Sequence, residues 1–171
     1  MIGAMKRLSR LRSWHPRAGA AAVAACCVVA GGTALAGQAP AKIYTKAQAQ
    51  AGRHVYKTQC ESCHGSNLQG ISGPPIGGDA FLKKAKLLGW SVENMRHVIV
   101  NQMPADNPGS LSPKQYAEVE AYVMARNCYP AGNTKFPQKS TKMLKTTRLV
   151  PQSGVAGETA KRGTCPLGGG Q

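Results

Sequence analysis

Aromatic side chains are scarce: Phe, Trp and Tyr together make up 5% of the 171 residues. Aromatics carry much of the buried area in small cores, so a short chain of this composition buries little apolar surface by itself. Acids are few as well, seven Asp and Glu against 22 Lys and Arg, for a formal net charge of +15. That imbalance steers the chain toward acidic partners or anionic surfaces. Long hydrophobic runs are missing too. The longest, residues 18–29, is rich in Ala and too short to span a bilayer comfortably. The basic residues are not interleaved with aromatics, and the chain carries an export signal, which together argue against nucleic acid as a partner.

That signal occupies the first 36 residues. Lys6, Arg7, Arg10, Arg12 and Arg17 give a basic start, the small apolar run follows, and Ala34-Leu35-Ala36 supplies an A-x-A cleavage site. The segment reads as a signal peptide cut after Ala36, which sends the chain to the periplasm with no membrane span remaining. A rival pattern, Val23-Ala24-Ala25-Cys26, resembles a lipid-attachment signal. Cleavage there would leave a very short apolar region and ignore the A-x-A site, so lipid anchoring at Cys26 is disfavoured. Removing the leader takes five basic residues and no acid, leaving a charge of about +10.

Six cysteines are present. Cys26 and Cys27 leave with the leader. Cys128 and Cys165 are expected to pair in an oxidising compartment, the alternative being two unrelated free thiols. Cys60 and Cys63 belong to the pentapeptide Cys60-Glu61-Ser62-Cys63-His64. Two thiols at this spacing add to the vinyl groups of a haem, and the histidine directly after them ligates its iron. Half of a structural zinc site is the other reading of Cys-x-x-Cys. It needs a second ligand pair nearby, and after His64 there is no His before His97 and no Cys before Cys128. The motif is therefore read as an attachment site for one haem c.

The surrounding pattern is helical. Thr45-Lys46-Ala47-Gln48 is a capping box opening a helix to about Thr58, with Gly52, Val55 and Tyr56 on one face and His54 off it. Residues 65–78 contain five glycines with Pro74 and Pro75, a loop able to approach a porphyrin. An iron-ligating imidazole usually donates its second N–H to a carbonyl or carboxylate, and Pro74 is the expected acceptor for His64. The bland reading of this segment is a rigid turn. A short helix is expected over 79–87, with Lys83, Lys84 and Lys86 outward. Another follows the cap Ser91 to about Val100, with Val92, Met95, Val98 and Ile99 inward. Trp90, just before it, suits either a haem edge or the core.

Asn101-Gln102-Met103-Pro104 breaks the pattern. A thioether on such a loop can reach an iron held on its other face by His64, whereas Met95 and Met124 fall in helical stripes and Met143 in a polar tail. Met103 is thus the candidate second ligand. Ser112-Pro113-Lys114-Gln115 then starts the last helix, which carries Tyr116, Val119, Tyr122 and Val123 to about Asn127. Tyr122 is expected to pack on Gly52. Residues 131–171 are basic and weakly periodic: seven bases oppose Glu158 alone, and the segment reads as an extended tail, either a covering strap or a docking arm for an acidic partner.

Cys60-x-x-Cys63-His64, Gly73-Pro74-x-Ile76, Met103-Pro104-Ala105 and a closing Tyr-containing helix together resemble a class I c-type cytochrome over residues 43–130. Within that family the stretch from Met103 through Pro108-Gly109-Ser110-Leu111-Ser112 to Tyr122, then Pro130-Ala131-Gly132, is most similar to monohaem domains serving periplasmic quinoprotein alcohol dehydrogenases. The resemblance implies an all-α fold around one haem with His64 and Met103 axial. It implies electron transfer and not catalysis, between a dehydrogenase or quinol-oxidising complex and an oxidase or reductase. A tightly bound haem subunit of an oxidoreductase is the alternative, and an open-iron enzyme or gas sensor the reading from another class. The expected organisation is a signal peptide over 1–36, a haem domain over 37–130 and an irregular basic extension over 131–171.

Overall fold

The computed structural model describes residues 41–152 together with Cys165 and Leu167. The signal peptide with Cys26, the tail residues Glu158, Lys161 and Arg162, and the glycines at 168–170 lie outside the described residues. The described part is helical: α1 (Lys46–Gln59), α2 (Glu61–His64), α3 (Gly78–Leu87), α4 (Val92–Gln102), α5 (Pro113–Arg126) and α6 (Lys142–Thr146). Among the described residues there is no strand, only an isolated antiparallel bridge between Ser91 and Arg148. The all-α expectation holds.

The helices begin where side chains satisfy the first free N–H groups. Thr45 caps α1 with Gln48 in a reciprocal capping box, and Ser112 caps α5 with Gln115 in the same way behind a proline in the first turn. Ser91 caps α4, its box completed by Asn94. Such caps contribute about 1 kcal/mol each.

The core of the fold is the crossing of α1 and α5. Gly52 makes it possible: a Cβ there would lie 1.8 Å from the carbonyl oxygen of Glu118 and 3.0 Å from Cβ of Tyr122. One turn on, the rings of Tyr56 and Tyr122 pack with centroids 4.9 Å apart, tilted by 39°. Every residue of α5 from Tyr116 to Ala125 is buried, Glu118 and Glu120 included. An amphipathic stripe does not account for that, and a second covering layer does.

The C-terminal extension supplies the layer. It has little regular structure, as expected, but residues 131–152 are not a loose tail. Phe136, Leu144 and Leu149 are fully buried in the main core, worth about 1.5–3 kcal/mol each. Backbone hydrogen bonds fasten the segment to the helices, from Gly132 N–H to Tyr44 O (2.8 Å), from Val92 N–H to Thr147 O (2.8 Å) and from Leu149 N–H to Trp90 O (2.9 Å). The Tyr129 hydroxyl donates toward the carbonyls of Arg148 (2.9 Å) and Val150 (3.1 Å). Arg96 on α4 ties three parts together: it pairs with Glu120 at 2.8 Å and donates to the carbonyls of Pro137 (3.3 Å) and Gln138 (2.5 Å). Cys128 and Cys165 are joined in a disulfide across 37 residues. Closing a loop of that length stabilises by about 4 kcal/mol on loop entropy alone.

Candidate functional site

The pentapeptide lies at the joint between α1 and the single turn of α2. Cys60 ends α1, its N–H donating to Tyr56 O at 2.9 Å, and the Tyr56 hydroxyl donates to Gly65 O at 2.6 Å just past His64. Both ends of the motif are thus anchored to one buried tyrosine. Cys60 is half-buried, Cys63 is exposed, and neither is in a disulfide. Burial pushes the Cys60 thiol up to about 11, reinforced by the neighbouring Cys63, so it stays a neutral thiol at neutral pH.

The loop after the motif folds back onto it. The carbonyl of Cys63 accepts from Ile71 N–H (2.9 Å) and Gly73 N–H (3.0 Å), that of His64 from Gly70 N–H (2.8 Å), and that of Leu68 from Ile76 N–H (2.9 Å). This brings Pro74 against the imidazole: Nδ1 of His64 lies 2.8 Å from Pro74 O. A carbonyl only accepts, so Nδ1 is the donor, and in the neutral imidazole Nε2 is then the nitrogen with the lone pair. Gly73 lets the loop come this close, since a Cβ there would sit 3.0 Å from His64 Cε1. Asn127 locks the far side of the loop, donating to Ile76 O (3.0 Å) while accepting from Gly78 N–H (3.0 Å).

Met103 is positioned by two other helices, α4 and α5. It ends α4, its N–H donating to Ile99 O at 3.2 Å, and its carbonyl accepts from the Tyr116 hydroxyl of α5 at 2.9 Å. Met95 and Met124 are buried within α4 and α5, and Met143 packs against the core from α6 rather than lying in a polar tail. Of these four methionines only Met103 lies outside a helix.

Cys60, Cys63, His64 and Pro74 are therefore gathered in one hydrogen-bonded unit, and Met103 is held separately by α4 and α5. Ile76, Phe81, Ile99 and Leu111 pack on the core but keep part of their apolar surface uncovered. Among the described residues no cluster of three His, Cys, Asp or Glu could hold a metal by itself. Two unpaired thiols beside an imidazole whose Nδ1 is taken by a carbonyl instead fit a cofactor that brings its own metal.

Residues 47–123 match the family model described as cytochrome C oxidase, cbb3-type, subunit III. They form a class I c-type cytochrome domain. A domain of this class holds its haem covalently and transfers electrons. The matched span contains the pentapeptide, Pro74 and Met103, and it ends before Cys128 and the extension. No curated protein matches the chain.

Several residues that frame the cytochrome site are not evident in the sequence. Tyr56, Tyr116 and Asn127 read there as stripe members or a helix end, because a period reports burial and not what a hydroxyl or amide will bond. On α4, Arg96 is buried where the pattern puts Val98 inward, and Val98 is only half-covered. A charged residue in a stripe gives no sign of a buried partner on another helix.

Proposed function

We propose that this chain is an exported monohaem cytochrome that moves single electrons in the periplasm, with haem c attached through Cys60 and Cys63 and iron held by His64 and Met103. The observation that carries this reading is the 2.8 Å contact between His64 Nδ1 and Pro74 O, which leaves Nε2 available for a metal. A haem held here by His64 and Met103 would supply a one-electron couple and would leave no open site for oxygen or peroxide.

The protein's part is orientation and exclusion of water. Pro74 O fixes the imidazole plane and its tautomer. Tyr116 restrains the backbone of Met103, limiting how far its thioether can withdraw. A thioether ligand such as Met103 would favour the reduced form. The positive surface favours an acidic donor or acceptor. A dehydrogenase such as a quinoprotein alcohol dehydrogenase, or a quinol-oxidising complex, fits as donor, and an oxidase or reductase as acceptor. The leader over 1–36, the haem domain over 37–130 and the extension over 131–171 complete the proposal.

Fixed attachment to an oxidoreductase is the second reading. The packed extension and a family model named for an oxidase subunit favour it. Purification from the periplasm separates the two. A shuttle leaves its partner as salt rises, because its contacts are screened, and a subunit stays bound. Denaturing mass measurement tests the cofactor: one haem is expected on the intact chain and none on Cys60→Ser/Cys63→Ser, and a chain exported without haem contradicts the proposal.

A further inference from the structure

Beside the α1–α5 crossing, Arg53 and Lys57 of α1 and Arg126 of α5 line one cavity of about 290 Å³, together with Glu61, Asn67 and Tyr122. Among the described residues that line it, Arg53, Lys57 and Arg126 stand with one acid, Glu61. Among the described residues neither Arg53 nor Lys57 makes an ion pair with a carboxylate, the pairs being Lys83–Asp79, Arg96–Glu120 and Lys114–Glu118. Arg126 is held in place: its guanidinium donates to Asn67 Oδ1 at 3.1 Å and lies 6.0 Å over the Tyr122 ring. The Tyr122 hydroxyl registers the same field. Burial raises its pKa, and Arg126 and Arg53 both act against that rise.

Like charges gathered in a concave, rigid place raise the local concentration of counter-ions. Here the charges stand on two different helices. Arg53 and Lys57 are about one helical turn apart, roughly 5–6 Å along the axis, and Arg126 lines the same cavity from α5. A single tetrahedral anion meets one of these groups well. An anion with two charged ends meets both. The volume lies at the lower end of small-molecule sites, roughly 300–1,000 Å³, which suits a compact ligand.

We propose that this cavity binds a multivalent oxyanion of the diphosphate type, one end neutralised by Arg53 and Lys57 and the other by Arg126. The site is independent of Met103 and touches the pentapeptide only through Glu61, whose carboxylate opposes the ligand. A built site has a signature that simple attraction to a basic protein lacks: removing a base that lines the cavity should weaken binding, and removing a base elsewhere should not.

Calorimetric titration of the intact haem-loaded protein with inorganic pyrophosphate, and in parallel with inorganic phosphate, at fixed ionic strength tests this. The expected result is saturable one-site binding with pyrophosphate at least tenfold tighter than phosphate. Arg53→Gln and Lys57→Gln, both at exposed positions, should each weaken it at least fivefold, Glu61→Gln should tighten it about threefold, and Lys84→Gln on exposed α3 should leave it unchanged. Absence of saturable heat, equal affinity for the two anions, or an equal loss in Lys84→Gln and Arg53→Gln would overturn the proposal.

Discussion

Nδ1 of His64 donates to the carbonyl of Pro74 across 2.8 Å, and Gly73 is the residue that lets the two meet. In Gly73→Val, a Cβ starting 3.0 Å from Cε1 carries two further methyls toward the imidazole. The ring should turn away and lose its carbonyl partner. We expect haem still to be attached, because both thiols remain, but with a lower midpoint potential and a diminished low-spin signal in electron paramagnetic resonance. An unchanged spectrum would show that Pro74 does not orient the ring.

Gly52 governs the helix crossing in the same steric way. Gly52→Ala must separate α1 from α5, because the new Cβ would stand 1.8 Å from Glu118 O. Overpacking of this kind costs about 1–3 kcal/mol, and the backbone contact puts this case at the upper end. Denaturant unfolding of the haem-loaded protein should show it, and an unaltered midpoint would mean the helices are not in contact at this glycine.

Glu120 links the core to pH. Burial pushes its carboxyl up from 4.5 to about 8, against the lowering effect of Arg96 and with a smaller push from Glu93. A group whose folded pKa exceeds its unfolded value binds its proton more tightly in the folded state, so stability falls as pH rises through that window. Between about pH 4.5 and 8 the wild-type protein should lose stability relative to Glu120→Gln. Unfolding curves at pH 5, 6.5 and 8 measure the difference. Parallel slopes for the two proteins would place the ionised form in the folded core across the whole range.

Much of the site is legible in the sequence because its chemistry is local. The pentapeptide spacing, the caps at Thr45, Ser91 and Ser112, the glycine at 52 and the carbonyl of Pro74 are each set by residues within a turn or a loop. The extension is harder to read. Phe136, Leu144 and Leu149 have no helical or strand period, because their segment packs as irregular chain, and a basic composition with little periodicity resembles a solvated tail. The same segment shares Arg96 with Glu120, which sits on what an amphipathic reading of α5 takes as its outer face. Arg96 escapes such a reading for a related reason, since its partners Glu120, Pro137 and Gln138 come from two distant parts of the chain.

In the proposed function, ligation by Met103 is what separates electron transfer from chemistry at an open iron. The most direct measurement is carbon monoxide binding to the reduced protein at neutral pH, wild type beside Met103→Ala. The wild-type spectrum should not change and the variant should bind carbon monoxide readily. Ready binding by the wild type, or a variant that stays closed, would contradict ligation by Met103.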